Sequence, residues 1–280
     1  MKFPYEKPLV IAHRGARSLA PENTLLAARK GLQTGADLWE LDVAMSKDGE
    51  IVVIHDDTLV RTSNARDYFP DREPWSVHSF TLAELKSLDF GSWFVKEDPF
   101  HQIAEGKVPL QEVNSMKGLQ IPTLEEALSF TKENNWRVNI EIKDLTGLPG
   151  DAIIVEKVVG LIKKYEMTRD VLISSFNHSY IERVKIVEKE IKTAALVPSP
   201  VSDPITILRS LEAQAYNPGV YHLTDSDFAE IRTIREAGFE VNVWTVNDAD
   251  TMKRLIEAGV SGIFTDFPQL FVEILNGHLL

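Results

Sequence analysis

Short apolar runs rich in β-branched residues alternate with amphipathic stretches of helical period along most of the chain, the pattern of repeated βα units. The runs Leu9–Ala12, Leu38–Val43, Val138–Ile142, Val171–Ser175, Thr193–Val197, Gln214–Asn217, Val241–Trp244 and Gly262–Thr265 read as strands. Each is followed by a turn and, except after the second, by a helical segment. Eight such runs predict an α/β fold of the closed (β/α)8 TIM barrel type, a single domain over residues 1–280. Helices over Asn23–Thr34, Asp225–Ala237 and Asp248–Ala258 each start at a polar cap and stop against a glycine.

The period breaks between Thr62 and Gln120, where prolines, aromatics and mixed charges occur without a sustained strand pattern and one short helix, Thr81–Leu88, stands out. So long a structureless loop is unusual inside a barrel, so an inserted subdomain or lid at the C-terminal rim is expected. Its aromatics, Tyr68, Phe69, Trp75, Phe80, Phe90, Trp93, Phe94 and Phe100, would mostly pack inward, with some lining a pocket.

Barrel enzymes carry their chemistry at the carboxyl ends of the strands. The first run ends in His13-Arg14, the second holds Glu40 and Asp42, and the third ends Glu141-Ile142-Lys143. Residues two apart on a strand share a side, so Glu40 and Asp42 point one way and Leu41 and Val43 the other. Three carboxylates in one barrel mouth repel unless positive charge sits among them. A single divalent cation held by Glu40, Asp42 and Glu141 meets that need, and oxygen ligands suit Mg2+ or Ca2+, with Mn2+ also admissible. A structural ion network with Arg14 and Lys143 is the alternative.

The run Ile51–Ile54 follows Lys47-Asp48-Gly49-Glu50, and a two-residue Asp-Gly loop joins only antiparallel strands. With Lys47 opposite Glu50, this hairpin pairs Asp42 with His55 and returns that imidazole to the rim. His13 and His55 then form a pair suited to general acid-base catalysis. His78, His101, His178, His222 and His278 read as satisfied polar residues. Arg14 and Lys143 supply local positive charge for an anion, and with the metal they point to a phosphate ester. Gly15 then lets the chain turn sharply, and Pro21–Thr24 starts the return helix.

A net charge of −12 argues against a nucleic-acid partner. No apolar stretch approaches the length of a membrane span, and the charged, proline-bearing Met1–Pro8 is unlike a secretory signal, so the chain reads as cytoplasmic. With no cysteine, thiolate chemistry is excluded. The oligomeric state is left open.

The segments IAHRGARSLAPENT, WELDVAMSKDGEIVVIHDDTLVRT, IPTLEEAL, NIEIK, VNVWTVND and GVSGIFTDFP, taken in order, resemble the glycerophosphodiester phosphodiesterase family over nearly the whole chain. The resemblance implies a barrel with an insert and a metal on Glu40, Asp42 and Glu141. It also implies acid-base roles for His13 and His55, phosphate contacts from Arg14 and Lys143, and Trp244 against the glycerol moiety. Trp244 could equally cap the barrel core. The expected activity is metal-dependent hydrolysis of a small-molecule glycerophosphodiester to sn-glycerol 3-phosphate and an alcohol. A metal-dependent aldolase or lyase on the same fold, or a non-catalytic phosphodiester-binding protein, are its rivals; the first gives no reason for two histidines beside an arginine, and the second would be favoured by a missing key acid or histidine, of which there is none.

Overall fold

The computed structural model describes residues 6–277. From the N-terminus, β1 (Leu9–Ala12) leads through α1 (Leu25–Gln33) to β2 (Leu38–Met45), which turns back as β3 (Ile51–Val53). Residues 62–120 then carry α2 (Ala65–Tyr68), α3 (Leu82–Lys86), α4 (Ser92–Glu97) and α5 (Leu110–Met116). Alternation resumes with α6 (Leu124–Glu133), β4 (Arg137–Ile142), α7 (Ile154–Lys164), β5 (Val171–Ser175), α8 (His178–Val187) and β6 (Lys192–Val197). It ends with α9 (Pro204–Ser210), β7 (Ala215–Pro218), α10 (Asp225–Glu236), β8 (Glu240–Val243), α11 (Ala249–Ala258), β9 (Gly262–Thr265) and α12 (Pro268–Leu275). All strands but β3 are parallel, and pairing of β1 with both β2 and β9 closes the eight-stranded barrel. No helix among the described residues is long and apolar enough to cross a membrane.

Alternation along β2 decides where the chemistry goes. Trp39, Leu41 and Val43 are buried in the layer between sheet and helices, where Trp39 stacks on Trp136 at 6.3 Å. Each large apolar side chain so buried contributes about 1.5–3 kcal/mol. That drive outward fixes Glu40 and Asp42 inward, and Leu41→Ala would cost about 2–5 kcal/mol.

β2 is longer than the barrel requires. Its register with β4 runs from Leu38↔Arg137 to Val43↔Ile142, whereas β1 reaches only Ala12↔Trp39. β3 takes the free part of that edge, pairing Val43↔Val53 and Met45↔Ile51. The hairpin register differs by one residue from the expected one. Ser46 and Glu50 close a three-residue loop, Lys47-Asp48-Gly49, with Gly49 at φ 86°, so Asp42 lies opposite Ile54 and not His55. Gly49 is left-handed and Asp48 is not, so the two-residue turn with both residues left-handed does not form and Lys47 joins the loop.

The two faces of this hairpin have different partners. Val43, Met45, Ile51 and Val53 belong to the main core, while Ala44, Val52 and Ile54 join Leu59 and the insert residues Val77, Phe80, Leu85 and Phe90, among others. A second insert core joins Phe94, Val108, Val113 and Met116 to Ala20 and Ala27 of the β1–α1 region. The insert thus has four short helices where sequence pattern showed one, because each buries only one or two residues and is too brief to display a period.

Candidate active site

The loop after β1 is set by close approach. Gly15 adopts φ 82°, and a Cβ there would stand 2.5 Å from the backbone of Ala27, so only glycine fits. Thr24 then caps α1, its Oγ1 accepting from the Ala27 amide at 3.1 Å. Arg14 is itself left-handed, at φ 54°, which aims its backbone N–H at Glu40 Oε2, 2.8 Å away.

His13, Arg14, Glu40, His55, Asn139 and Glu141 line one side of a cavity of about 200 Å³ at the barrel mouth; Phe176, Leu196, Trp244 and Phe264 line the other. Trp244 falls just past β8, and its ring meets Phe176 edge-on at 5.5 Å while Nε1 donates to the Asn217 carbonyl at 2.9 Å. His55 reaches the cavity by a bend. Strict alternation past Val53 would turn it outward with Val53, but the strand has ended and the chain bends at His55. The insert supplies none of the cavity wall: the aromatics expected there are absent from it. Instead Trp93 lies under the Arg61 guanidinium at 5.7 Å and Phe100 under that of Arg17 at 5.3 Å.

Glu40, Asp42 and Glu141 converge, with one oxygen of each within 4.8 Å of the others. Burial, with Asp42 and Glu141 adding, pushes the Glu40 carboxyl well above its ordinary value. Burial would also raise Asp42, but Arg14 and Lys143 outweigh it and hold that carboxyl at about 2. Glu141 is pushed up by burial and by Asp42. Lys143 does not line the cavity; its ammonium bonds Glu141 Oε1 at 2.7 Å and stands 3.6 Å from Asp42 Oδ1. Asp42 Oδ1 is buried without a hydrogen-bond partner, while Oδ2 accepts from Asn23 Nδ2 at 2.8 Å.

Each histidine has a carboxylate behind it. His13 Nδ1 lies 2.7 Å from Asp266 Oδ1 and His55 Nδ1 2.7 Å from Asp56 Oδ1. Asp266 is held at about 2, since His13 and Arg17 outweigh the burial that would raise it. Asp56 is also depressed, by His55 and Arg61 against burial. Ionised carboxylates only accept, so both Nδ1 atoms carry protons and both Nε2 atoms are left for other chemistry.

A model of the glycerophosphoryl diester phosphodiesterase family matches residues 13–270. The chain belongs to that family. The glycerophosphodiester phosphodiesterase of Caldanaerobacter subterraneus subsp. tengcongensis is 34% identical over 271 residues, covering 96% of this chain and 98% of that protein. The Bacillus subtilis glycerophosphodiester phosphodiesterase is 32% identical, over 98% of this chain and 88% of its own. Among solved structures, an Oleispira antarctica phosphodiesterase in complex with the product sn-glycerol 3-phosphate is 29% identical, with a TM-score of 0.80 over 96% of this chain and 97% of that one.

All eight residues singled out in this family member lie at one barrel mouth, although Asp42 and Lys143 stand behind the cavity wall. Sequence reasoning missed Glu22, Asp56, Arg61 and Asp266. Asp56 was the most accessible of them, as the immediate neighbour of His55. His178 is a satisfied residue, its Nε2 3.0 Å from the Leu196 carbonyl. His278 and the side chain of His222 lie outside the described residues.

Proposed function

We propose that this phosphodiesterase-family chain hydrolyses small glycerophosphodiesters to sn-glycerol 3-phosphate and an alcohol, with His13 and His55 as the acid-base pair. The observation that carries this reading is that two imidazoles, each with Nδ1 tied to a carboxylate, share one cavity with Arg14 and three converging acids. One Nε2 takes the proton from the nucleophile, which is water or the neighbouring glycerol hydroxyl; in the second case a cyclic phosphate forms first and water then opens it to sn-glycerol 3-phosphate. The other gives a proton to the leaving alkoxide as the P–O bond breaks. Asp266 and Asp56 hold the rings in the tautomer this exchange needs and stabilise the imidazolium that forms.

The donor set suits a divalent cation: oxygen ligands only, mutually repelling, with Asp42 Oδ1 buried and accepting no hydrogen bond. Glu40, Asp42 and Glu141 would hold it, and when bound it supplies positive charge to a phosphoryl oxygen. Arg14 and Lys143 add the cationic side chains nearest those acids and compensate the charge of the phosphate. The apolar wall of Phe176, Leu196, Trp244 and Phe264 suits the carbon face of a glycerol unit, and the small cavity favours a deacylated diester over an intact phospholipid.

The test is a panel of glycerophosphodiesters assayed with Mg2+, Ca2+, Mn2+ and chelator. Metal-dependent release of sn-glycerol 3-phosphate is expected. Glu40→Gln, Asp42→Asn and Glu141→Gln should each abolish it together with stoichiometric cation binding in calorimetry. Full activity after exhaustive chelation would overturn the metal assignment, and no release from any diester the reaction itself.

A further inference from the structure

Glu22, the second residue of the PENT turn, is buried with only 2% of its side chain exposed and takes no place in the cavity of residues assigned above. Three arginines converge on it. Its Oε1 accepts from Arg14 Nη1 at 2.9 Å and from Arg61 Nη2 at 2.7 Å; its Oε2 accepts from Arg17 Nε at 2.8 Å and from Arg61 Nη1 at 2.8 Å. A buried carboxylate beside the start of a helix needs one cation to be balanced, so charge compensation alone leaves two of the three unexplained.

What the extra arginines touch on their far sides explains them. Arg61 donates from Nε and Nη2 to Asp56 at 2.7 and 2.9 Å, and Asp56 holds His55. Arg17 places Nη1 at 3.5 Å from Asp266, which holds His13. The chain of contacts therefore runs His55, Asp56, Arg61, Glu22, Arg17, Asp266, His13. Arg61 is the stiff part of it: its planar fork grips Asp56 on one edge and Glu22 on the other, which an ammonium could not do.

We propose that Glu22 is a positioning residue that couples the carboxylate partners of His13 and His55 through Arg17 and Arg61, so that one buried carboxylate sets the placement of both imidazoles. The inference rests on the proposed roles of the two histidines. It assigns Glu22 no contact with substrate. Loss of the coupling loosens both rings and lowers the chemical step, while Arg14, which also bonds Glu22, keeps its contact with Asp42 and the three converging acids stay in place.

Glu22→Gln in the full-length, metal-loaded protein, assayed with sn-glycero-3-phosphocholine, should lower kcat by about ten- to a hundredfold, the usual weight of an outer-layer partner, with KM within about twofold. Cation stoichiometry in calorimetry should stay the same. The double variant Glu22→Gln/Arg61→Lys should be no worse than the poorer single variant, because both cut one path. An unchanged kcat, a change in KM alone, or losses that multiply independently would each overturn the proposal. If Glu22→Gln does not fold, Arg61→Lys and Arg17→Lys carry the test: each keeps its charge and should lower kcat at constant KM, and full activity in both would reject the coupling. The imidazole Nδ1–H resonances of His13 and His55 give a readout that needs no turnover. Both should shift in Glu22→Gln or, through the shared path, in Arg61→Lys; unchanged resonances mean no coupling, whether or not the wild-type protein cleaves any diester.

Discussion

The two histidine–carboxylate pairs have the same length and opposite construction. His13 and Asp266 are 253 residues apart, brought together by the pairing of β1 with β9, and both are buried. His55 and Asp56 are neighbours on a bend, and about a third and a quarter of their side chains are exposed. The first pair is held by the barrel itself. The second has no regular strand beneath it and is held from above, by Arg61 and the Trp93 ring of the insert. Similar geometry has thus been reached once through global topology and once through a local turn braced by added chain. The barrel-built pair is the more resistant to local change, and the insert-braced pair the more open to it.

The largest expected effect removes either ring. His13→Ala and His55→Ala should each lower turnover by about two to four orders of magnitude. A substrate with a nitrophenolate leaving group, which needs no acid, should rescue one variant far more than the other and so say which ring protonates the alkoxide. Equal rescue would show that the division of labour is wrong.

Next come the carboxylates behind the rings. Asp266→Asn should cost about ten- to a hundredfold in kcat, because no water can replace a buried partner. Asp56→Asn should cost less than about tenfold, since solvent and the Arg61 contact soften the loss. Equal losses in steady-state kinetics would mean that burial does not separate the two pairs.

Trp93→Ala and Phe100→Ala, which unstack Arg61 and Arg17, should reduce kcat by about two- to fivefold, the range of one exposed cation–π contact. Ratios of kcat/KM between diesters with different head groups should not move, since the insert lines none of the cavity. A change in those ratios would restore the insert as a specificity element.

The smallest effect is on stability. Burial, followed by Arg14, holds His13 below its ordinary 6.5. The unfolded chain therefore takes up that proton first, so the contribution of His13 to stability is complete above 6.5 and is lost as pH falls toward the lowered folded value. The melting temperature should fall more between about pH 7.5 and 5.5 in the wild type than in His13→Gln. Parallel curves would show that His13 does not titrate differently on folding.

The barrel was legible because its core residues are periodic: Trp39, Leu41 and Val43 face one layer and, by the same alternation, Glu40 and Asp42 face the mouth. The hairpin after β2 was legible in kind but not in register, since Lys47 joins Asp48 and the left-handed Gly49 in the loop. His55 arrives at the cavity all the same, through a bend that alternation does not encode. Glu22, Arg61, Asp56 and Asp266 all lie inside the segments that carried the family resemblance, yet their roles depend on partners met only in three dimensions. Adjacent residues on a strand face opposite ways, so His55-Asp56 reads as a pair only once the strand is known to have ended. The insert hid three of its four short α-helices because each is too short to show a period.

The contact of His13 with Asp266 sits on the seam where the first strand meets the last. During synthesis His13 waits for all the later strands of the barrel before its partner exists. A nascent protein ending short of Asp266 can build the hairpin, the insert and most of the strands, but not the buried half of the histidine pair. The seam therefore makes the buried histidine pair the last part of the site to form, so chains stopped before it would carry only the hairpin's half of the acid-base machinery.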